Sequence, residues 1–427
     1  MNMKKFGVDP KRLLGRIVYL VRWMVCAVAV GAVIGVIITG FYYALRVATS
    51  VRTAHPQIIW LLPAAGLLIV FLYHLLGDFD DKGTNLVLRS ISGDQKIPVT
   101  KAPLIFVGTF LTHLFGGSSG RESAALQIGG ALGQNLGRAM KLDQIDTKTI
   151  TMCGMSAAFA ALFGTPMSAA FLAMEISSVG VLYYSALVPC VLSALTASGL
   201  ARCLGAQAGV FRVEMMPQFT IGSALLAALL AICCAVLSSI FCRLLRAGGW
   251  LYRHYLPDQY IRIAVGGGLV VLLTLICGPN IYNGAGMDVI GLAFKGQVPA
   301  YAFLLKMLFT VLTLEAGFKG GEIVPALFIG ATFGAAAADF AGVQAPLCCA
   351  VGMGAMFCGV TNCPVASLLL CFEMFGYRGM PYYLIAIALA YAFSGYSGLY
   401  GSQRFVYSKM RPDVINRTGD SFDETEK

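Results

Sequence analysis

The amino-acid sequence predicts an all-α, polytopic membrane protein built from two homologous halves. Three observations support this prediction: an apolar composition, apolar runs long enough to cross a bilayer, and an internal repeat. Of the 427 residues, 58% are hydrophobic and only 12% are charged. Soluble domains carry about 25% charged residues, so this composition is typical of a membrane protein.

Several apolar runs have the length of a transmembrane helix. Residues 17–47 carry a single charge, Arg22, before Arg46, and residues 58–76 and 222–241 carry none. A run of about 20 apolar residues matches the hydrocarbon thickness of a bilayer, so each run predicts a spanning helix. Other apolar stretches are shorter and are interrupted by Gly and Pro. These predict half-spanning or re-entrant helices, whose free backbone groups must be covered by protein or water.

The charges indicate how the chain meets the membrane. Residues 1–14 are basic and precede a full-length apolar helix, not the short core and cleavage site of a signal peptide. A cytoplasmic amino terminus is favoured by the positive-inside bias of Lys4, Lys5, Lys11, Arg12 and Arg16. The net charge of +10 could suggest nucleic acid, but the basic residues stand singly at the ends of apolar runs. That distribution is typical of membrane anchoring, so no nucleic-acid partner is expected.

The cysteines do not indicate a disulfide framework or a metal site. All 13 lie in apolar runs, singly or in adjacent pairs, without CxxC spacing or a neighbouring histidine. We interpret them as small apolar packing residues and expect neither a metal nor a cofactor.

An internal repeat organises the chain. Residues 111–133 align with 312–334 at an offset of 201, with nine identities in 23 positions. Residues 154–175 align with 352–373 at an offset of 198, with seven identities in 22. Two ungapped blocks in the same order are poorly explained by a chance likeness of Gly- and Ala-rich helices. The predicted organisation is a basic amino-terminal segment over 1–14, a first membrane repeat over 15–208, a linker over 209–216, a second repeat over 217–410 and a polar cytoplasmic tail over 411–427.

The repeat also indicates where a substrate would bind. Fused repeats are typical of secondary transporters, in which the substrate lies near the bilayer midplane among broken helices. The similarity of the halves is compatible with parallel or inverted topology. The matching glycine-rich interruptions at residues 116–120 and 317–321 are the predicted location of the site.

Each interruption has the composition of an anion site. Glycines allow the backbone to turn and to approach closely, and the apolar run that follows predicts a helix. The free N–H groups at a helix start carry partial positive charge and bind anions. A nucleotide-binding P-loop is the competing interpretation. It fails because the sequence has no GxxxxGK[ST] pattern and because membrane helices surround the glycines.

Each interruption is followed by a carboxylate, Glu122 or Glu322. A carboxyl group at membrane depth is costly and is by default a sign of function. An ionised Glu122 would compete with an anion for the donors of its helix start, and a protonated Glu122 would leave them. That exchange would couple proton movement to anion movement. The alternatives are that Glu122 only caps its helix or pairs with Arg121, and that Glu322 pairs with Lys319.

Two further positions are candidates for anion binding. Residues 83–87, GTNLV, form a third glycine-led helix start after the acidic loop 78–81. Thr84 and Asn85 are typical N-cap residues, and the residues alone favour capping. Tyr400 ends the last apolar run, and its hydroxyl could donate to an anion, although tyrosine is common at membrane interfaces.

Four segments carry a resemblance to a known family. Residues 120–130, GRESAALQIGG, resemble a GREGPxxQIGG block whose glutamate is a proton-coupled gate, and residues 163–175 resemble an FNAPLAG…EE helix. Residues 317–325 resemble a GxxGGxFxP block, and residues 399–400 resemble a segment with an anion-coordinating tyrosine. These blocks occur in this order in the CLC chloride channel and antiporter superfamily, and the resemblance extends over residues 15–410.

Three departures from the chloride-selective pattern point to the fluoride branch of that superfamily. Residues 83–87 are similar to its GNNLI-type motif, whereas chloride members have GSGIP with a serine on the anion. Glu322 stands where chloride members have an apolar residue, and the fluoride branch likewise has GGE. Ile176 follows Glu175 where chloride antiporters tend to have a second proton glutamate, which the fluoride branch also lacks. Glu175 itself matches Glu373 in the repeat, which indicates a structural role for both.

The resemblance implies a secondary-active antiporter, not an enzyme, which exports fluoride from the cytoplasm in exchange for protons and so gives fluoride resistance. It assigns gating and proton coupling to Glu122 and Glu322. It assigns anion binding to Thr84, Asn85, Gly120, Arg121, Gly321, Ile323, Val324 and Tyr400. It also implies about 18 helices in two inverted halves. The protein would be a homodimer in the cell inner (plasma) membrane with both termini in the cytoplasm. Its partners would be fluoride or chloride, protons and the lipid bilayer.

Three alternatives are kept beside this prediction. A chloride–proton antiporter of the same superfamily is the first, and a passive anion channel is the second. Glu122 argues against the channel because an ungated pore needs no titratable group there. An intramembrane hydrolase is the third, but the four histidines, His55, His74, His113 and His254, form no HExxH motif and no Asp-rich spacing.

Overall fold

The computed structural model describes residues 10–425 apart from 208, 210, 212, 214, 215, 279 and 280. Most of the predicted segment 1–14 and half of the predicted linker 209–216 therefore lie outside the described residues. The described part of the first half contains eight α-helices: α1 Pro10–Ala54, α2 Leu62–Leu75, α3 Thr84–Ser92, α4 Lys101–Leu114, α5 Glu122–Ala139, α6 Gln144–Phe163, α7 Pro166–Glu175 and α8 Leu187–Cys203.

The described part of the second half contains eight further helices, and a short helix ends the chain. They are α9 Ile221–Tyr255, α10 Gln259–Cys277, α11 Met287–Phe294, α12 Ala302–Ala316, α13 Ile323–Ala341, α14 Ala345–Thr361, α15 Pro364–Phe375, α16 Met380–Phe393 and α17 Gly419–Thr425. Short 3-10 helices in the described part of the chain cover Pro56–Leu61, Tyr184–Ala186 and Tyr377–Gly379. The predicted helical architecture is confirmed.

Among the described residues, six helical segments are long and apolar enough to cross a bilayer: Leu13–Ala54, Pro56–Leu75, Tyr184–Cys203, Ile221–Tyr255, Gln259–Cys277 and Ile323–Ala341. The runs over 17–47, 58–76 and 222–241 fall in three of them, as their uninterrupted apolar sequence predicts. Several other helices, such as α3 and α7, are too short to span and are enclosed by the longer ones. The chain is therefore a multi-pass membrane protein.

The two halves have equivalent helices at their centres. Helix α5 corresponds to α13, α6 to α14, and α7 to α15, and each pair is offset by the 201 or 198 residues of the repeat. Equivalent glycines bring adjacent backbones together. A Cβ added to Gly129 would lie 2.3 Å from the carbonyl oxygen of Gly154, and one added to Gly330 would lie 2.3 Å from that of Gly352. No side chain fits in either space, so glycine is required at both crossings.

The halves meet at two equivalent glycines. Gly120 donates its N–H to the Gly321 carbonyl at 2.6 Å, and Gly321 donates to the Gly120 carbonyl at 2.9 Å, as an antiparallel bridge. Because residues in equivalent positions pair with each other in opposite directions, a local two-fold axis passes between them. This pairing agrees with inverted halves.

A small sheet closes the carboxyl-terminal end. Strand β1 (Ser178–Val179) pairs in parallel with β2 (Arg404–Tyr407), and β2 pairs antiparallel with β3 (Val414–Thr418). The sequence analysis did not predict this sheet. Its first strand has only two residues, and its partners come from the other end of the chain, so no local alternation of apolar and polar residues marks it. Strand β3 lies within the predicted tail.

One side chain fixes the start of this sheet to both halves. Gln403 is fully buried and donates its amide to the carbonyl of Ile176 at 2.9 Å and to that of Thr361 at 2.8 Å. Ile176 follows α7 in the first half, and Thr361 ends α14 in the second. The residues just before Gln403, including Tyr400, are thereby held against the centre of the protein.

Candidate anion and proton site

Helices α3, α5 and α13 begin at the centre of the protein, and none of the three is capped by the side chain of its own N-cap residue. Their N-cap residues are Gly83, Arg121 and Glu322, and among the described residues no side chain of these caps bonds the first turn. Elsewhere in the chain, Asp143 and Asp258 cap α6 and α10. Uncapped helix starts with their positive dipole ends are suited to an anion.

The Gly120–Gly321 pair lies between two of these helix starts. A Cβ on Gly321 would lie 2.7 Å from the Ser123 side chain, and one on Gly120 would lie 3.0 Å from the Gly321 carbonyl oxygen. Gly321 therefore has no room for a side chain, and at Gly120 a side chain would make a tight contact, which explains why the interruptions share glycine. The pair brings the start of α5 against the start of α13.

Glu122 is the first residue of α5 and is only 1% exposed. Its Oε2 accepts a hydrogen bond from the Arg121 backbone N–H at 2.9 Å, and its Oε1 lies 3.4 Å from the Arg121 Nε. The carboxylate thus occupies a donor of the helix start itself. The Glu122 side chain therefore does pair with Arg121, which was one of the alternatives from the sequence. Its contact with the Arg121 backbone N–H also occupies a donor that an anion at this helix start would need.

Glu322 lies beside the start of α5. Its Oε2 accepts a hydrogen bond from the Ser123 hydroxyl at 3.1 Å. Tyr400 is buried, and Ser123 and Glu322 are among the polar groups around its hydroxyl. The chain thereby gathers a carboxylate and two hydroxyls from three separate segments within reach of the Gly120–Gly321 pair.

The alternative in which Glu322 pairs with Lys319 is not observed. The Lys319 ammonium bonds Asp81 at 2.8 Å and lies 4.2 Å from the centre of the Tyr73 ring. Asp81 also bonds Lys101 at 2.7 Å and accepts from the Gly83 N–H at 3.1 Å. The lysine is therefore part of a charged cluster that holds the loop before α3, and Glu322 is left to interact with Ser123.

Thr84 and Asn85 do not cap α3. Gly83 is the N-cap, with a φ of 54° that favours glycine, and Thr84 is the first helical residue. The Thr84 Oγ1 accepts from the Gln127 amide at 3.1 Å, so its hydroxyl hydrogen is available for donation to another group. The interpretation as caps, which the residues alone favoured, is therefore wrong.

Asn85 is oriented by the segment after Tyr400. Its Oδ1 accepts from the Ser402 N–H at 3.0 Å and from the Ser402 hydroxyl at 2.8 Å. Its backbone carbonyl also accepts from the Ser402 hydroxyl at 3.3 Å. Because the amide oxygen is used in this way, the Nδ2 group with its two hydrogens is turned away from Ser402.

The remaining predicted residues are at the same helix starts. Ile323 and Val324 are fully buried in the first turn of α13, where they contribute backbone N–H groups. The Arg121 guanidinium lies 5.4 Å from the centre of the Tyr42 ring. Arg121 and Glu322 each follow one of the paired glycines. The local two-fold axis therefore relates a positively charged side chain in the first half to a carboxyl side chain in the second. The site is symmetric in its backbone and asymmetric in its charge.

Three residues of the site were not identified from the sequence: Ser123, Gln127 and Ser402. Each acts by bonding another candidate, namely Glu322, Thr84 or Asn85. Ser123 and Gln127 lie within the glycine-rich block that the sequence analysis selected, so their polarity in an apolar helix was an available signal. Ser402 had no such signal, because its partner lies in the first half of the chain.

This arrangement of broken helices in two inverted halves is that of a polytopic transport protein. Residues 65–395 match the voltage gated chloride channel family, and the chain belongs to that family. It is 33% identical over 398 residues to the "Chloride/fluoride channel protein" of Pseudomonas syringae pv. tomato, covering 92% of this chain and 88% of the relative.

Solved structures share the fold. The crystal structure of a CLC-type fluoride/proton antiporter superimposes with a TM-score of 0.87 at 31% identity, covering 90% of this chain and 98% of the other. A slow cyanobacterial Cl⁻/H⁺ antiporter superimposes with a TM-score of 0.78 at 21% identity, covering 87% and 94%. The chain is also 24% identical over 394 residues to the H(+)/Cl(-) exchange transporter ClcA of Citrobacter koseri, covering 85% and 83%.

Proposed function

We propose that the protein is a secondary-active antiporter that exports fluoride from the cytoplasm in exchange for protons. The names of the similar proteins support this class, and the site supports the coupling. We further propose that it is a homodimer in the cell inner membrane. The basic residues over 4–16 favour a cytoplasmic amino terminus, and the carboxyl-terminal tail would lie on the same side.

The observation that supports coupling best is the contact between the Glu122 carboxylate and the Arg121 backbone N–H. An ionised carboxylate holds this donor, and protonation removes the charge that favours the contact. The donor then becomes available to an anion. Loss of the anion allows Glu122 to ionise and return. The Glu122 carboxyl thus alternates between binding a proton and binding the Arg121 backbone N–H that the anion uses. An antiporter requires such an exchange.

Fluoride preference would come from donors at the start of α3. Fluoride is small and strongly hydrated, so a selective site must replace its water with strong hydrogen bonds. The free hydroxyl hydrogen of Thr84 and the Nδ2 group of Asn85 supply such donors if the anion binds beside them. Gln127 and Ser402 would set the orientation of each donor. Tyr400 would add a third donor.

Glu322 would receive the proton that Glu122 releases, or supply it. The Ser123 hydroxyl joins the start of α5, which carries Glu122, to the Glu322 carboxylate. Ile176 occupies the place of a second proton glutamate, and it is fully buried with its carbonyl bonded to Gln403. A proton route through residue 176 is therefore not available, which leaves the Glu322 side.

A liposome flux assay tests the proposal. Purified protein in liposomes loaded with fluoride should release fluoride and take up protons together, and a matching chloride gradient should move far fewer protons. Equal coupled flux of both anions would favour the chloride–proton antiporter. Fluoride flux without proton movement would favour a passive channel.

A further inference from the structure

A fully buried lysine lies where the two halves of the protein meet. Lys306, in α12, donates its three ammonium hydrogens to three neutral oxygens. These are the Ser118 hydroxyl at 3.0 Å, the Tyr282 carbonyl at 3.0 Å and the Gly284 carbonyl at 2.7 Å. An ionisable side chain inside a membrane protein is costly and is by default a sign of function. The transport site described above does not include this lysine.

The hydrogen bonds of Lys306 join the first glycine-rich interruption to the segment before α11. Two further bonds join the same two segments. The Asn283 side-chain amide donates to the Gly116 carbonyl at 2.7 Å. The Gly284 N–H donates to the Gly117 carbonyl at 2.9 Å. The first interruption is therefore attached to the second half of the protein by several bonds, and the buried ammonium is the charged group among their donors.

This junction directly precedes the backbone that binds Glu122. Ser118 is two residues before Gly120, which pairs with Gly321 through two backbone hydrogen bonds. The next residue, Arg121, supplies the backbone N–H that the Glu122 carboxylate occupies. A hydrogen bond weakens steeply when its donor points away from the acceptor. The position of Ser118 therefore affects how well this backbone donor is aimed.

The internal repeat shows that packing does not require a lysine in α12. At the offset of 201, the equivalent position in α4 is Ile105. The two helices otherwise make the same contact. Thr313 accepts a hydrogen bond from the Ser118 N–H at 3.0 Å. Its equivalent, Thr112, accepts one from the Lys319 N–H at 3.1 Å. Each helix thus binds the interruption of the opposite half, and a lysine is added at this position in one of them.

We propose that Lys306 is a positioning residue of the transport site. The proposal rests on the proposed function and deepens it by naming what keeps the anion's donor in place. Lys306 fixes Ser118 against the segment before α11, so the backbone at the start of α5 keeps its direction when Glu122 leaves it. The competing explanation is that Lys306 only satisfies the Tyr282 and Gly284 carbonyls, in which case its effect does not pass through Ser118.

The test is a double-mutant cycle of Lys306→Met and Ser118→Ala, with fluoride affinity measured by calorimetry. Lys306→Met should weaken fluoride binding about tenfold, the lower end of what a hydrogen bond to a charged group contributes. In liposomes, the half-saturating fluoride concentration should rise by the same factor, and the rate at saturating fluoride should be retained. Ser118→Ala should weaken binding in the same direction. Because the two residues act together, the double variant should bind fluoride no more weakly than Lys306→Met.

Two threonines at equivalent positions of the repeat provide a matched control. The Thr310 hydroxyl oxygen lies 3.3 Å from that of Ser118. The Thr109 hydroxyl is buried and has no hydrogen-bond partner among the residues that the structure describes. Thr310→Val should therefore weaken fluoride binding, by less than Lys306→Met does. Thr109→Val removes the same hydroxyl from the other half and should leave fluoride affinity unchanged.

The outcomes decide between positioning and a purely structural lysine. A folded Lys306→Met protein with unchanged fluoride affinity would overturn the proposal, even if its unfolding temperature falls. Additive losses in the double variant would also overturn it, since Lys306 would then not act through Ser118. If Lys306→Met does not fold, unchanged affinity in both Ser118→Ala and Thr310→Val overturns it. Fluoride flux without protons in the unaltered protein would contradict the proposed antiport, whereas this inference is decided by the affinities.

Discussion

Glu175 and Glu373 cap helices in opposite halves of the protein. Glu175 ends α7 and accepts from the backbone N–H groups of Val365 and Ala366 at 3.3 and 3.0 Å, at the start of α15. Glu373, near the end of α15, accepts from those of Met167 and Ser168 at 2.9 Å each, at the start of α7. The two glutamates are equivalent in the repeat, so one capping interaction occurs twice. This supports the structural role that the repeat predicted for them.

Glu175→Gln and Glu373→Gln should each lower the stability of the protein and leave proton coupling intact. Hydrogen bonds to charged groups contribute about 1.5–3 kcal/mol, and the neutral amide keeps only part of each interaction, so we expect a loss of about 1–3 kcal/mol per variant. Thermal unfolding in detergent measures this loss. Uncoupled fluoride flux in a Glu175→Gln protein of normal stability would instead place Glu175 on the proton route.

Gly129→Ala should destabilise the protein through the crossing of α5 and α6. The added methyl would lie 2.3 Å from the Gly154 carbonyl oxygen, so the helices must separate. Overpacking of this kind costs about 1–3 kcal/mol. Gly268→Ala in α10 is the matched control, since no atom lies within 4 Å of its added Cβ. Equal unfolding temperatures for the two variants would contradict the close approach of α5 and α6.

Asn85→Ala should reduce the preference for fluoride over chloride. A buried hydrogen bond to an ion contributes about 1.5–3 kcal/mol, so the flux ratio should fall about ten- to a hundredfold. Ser402→Ala should give a smaller fall in the same direction, because it removes the hydroxyl that orients the amide.

The control for this prediction is Asn135→Ala, which removes a partly buried amide that bonds the Ile97 and Ala131 carbonyls away from the site. It should change stability without changing the flux ratio. An unaltered ratio in a well-folded Asn85→Ala protein would show that fluoride selectivity comes from Glu322 or Tyr400.

Glu322→Gln should slow proton flux more strongly than Lys319→Met does. The structure gives Glu322 a hydrogen bond from Ser123 and gives Lys319 a separate partner in Asp81. Parallel measurements of fluoride-driven proton uptake by the two variants check this. Ser123→Ala should weaken coupling as well, since it removes the hydroxyl between α5 and Glu322. Full coupling in Glu322→Gln would contradict a proton role for this carboxylate.

The sequence predicted the parts of the fold that depend on local composition. Residues 17–47 form a spanning helix because an apolar run of that length leaves little alternative in a bilayer. The glycine-rich interruptions mark the starts of α5 and α13, because the two backbones approach each other there so closely that a side chain would be in tight contact or would not fit. The repeat alone located both interruptions and matched Glu175 with Glu373, without any knowledge of their contacts.

Interactions between distant segments could not be predicted in this way. The Ser402 contact with Asn85 joins residues at opposite ends of the chain, and neither has a local pattern that identifies the other. The sheet of β1, β2 and β3 depends on a strand of two residues.

We propose that Glu122 exchanges its place at the start of α5 with the anion as it gains and loses a proton. Glu122→Gln removes the titration and keeps the size of the side chain. The decisive measurement records fluoride efflux and proton uptake simultaneously in liposomes that contain either the unaltered protein or Glu122→Gln. We expect the unaltered protein to drive proton uptake with a fluoride gradient and the variant to show none. Unchanged proton uptake with fluoride efflux in Glu122→Gln would contradict the account.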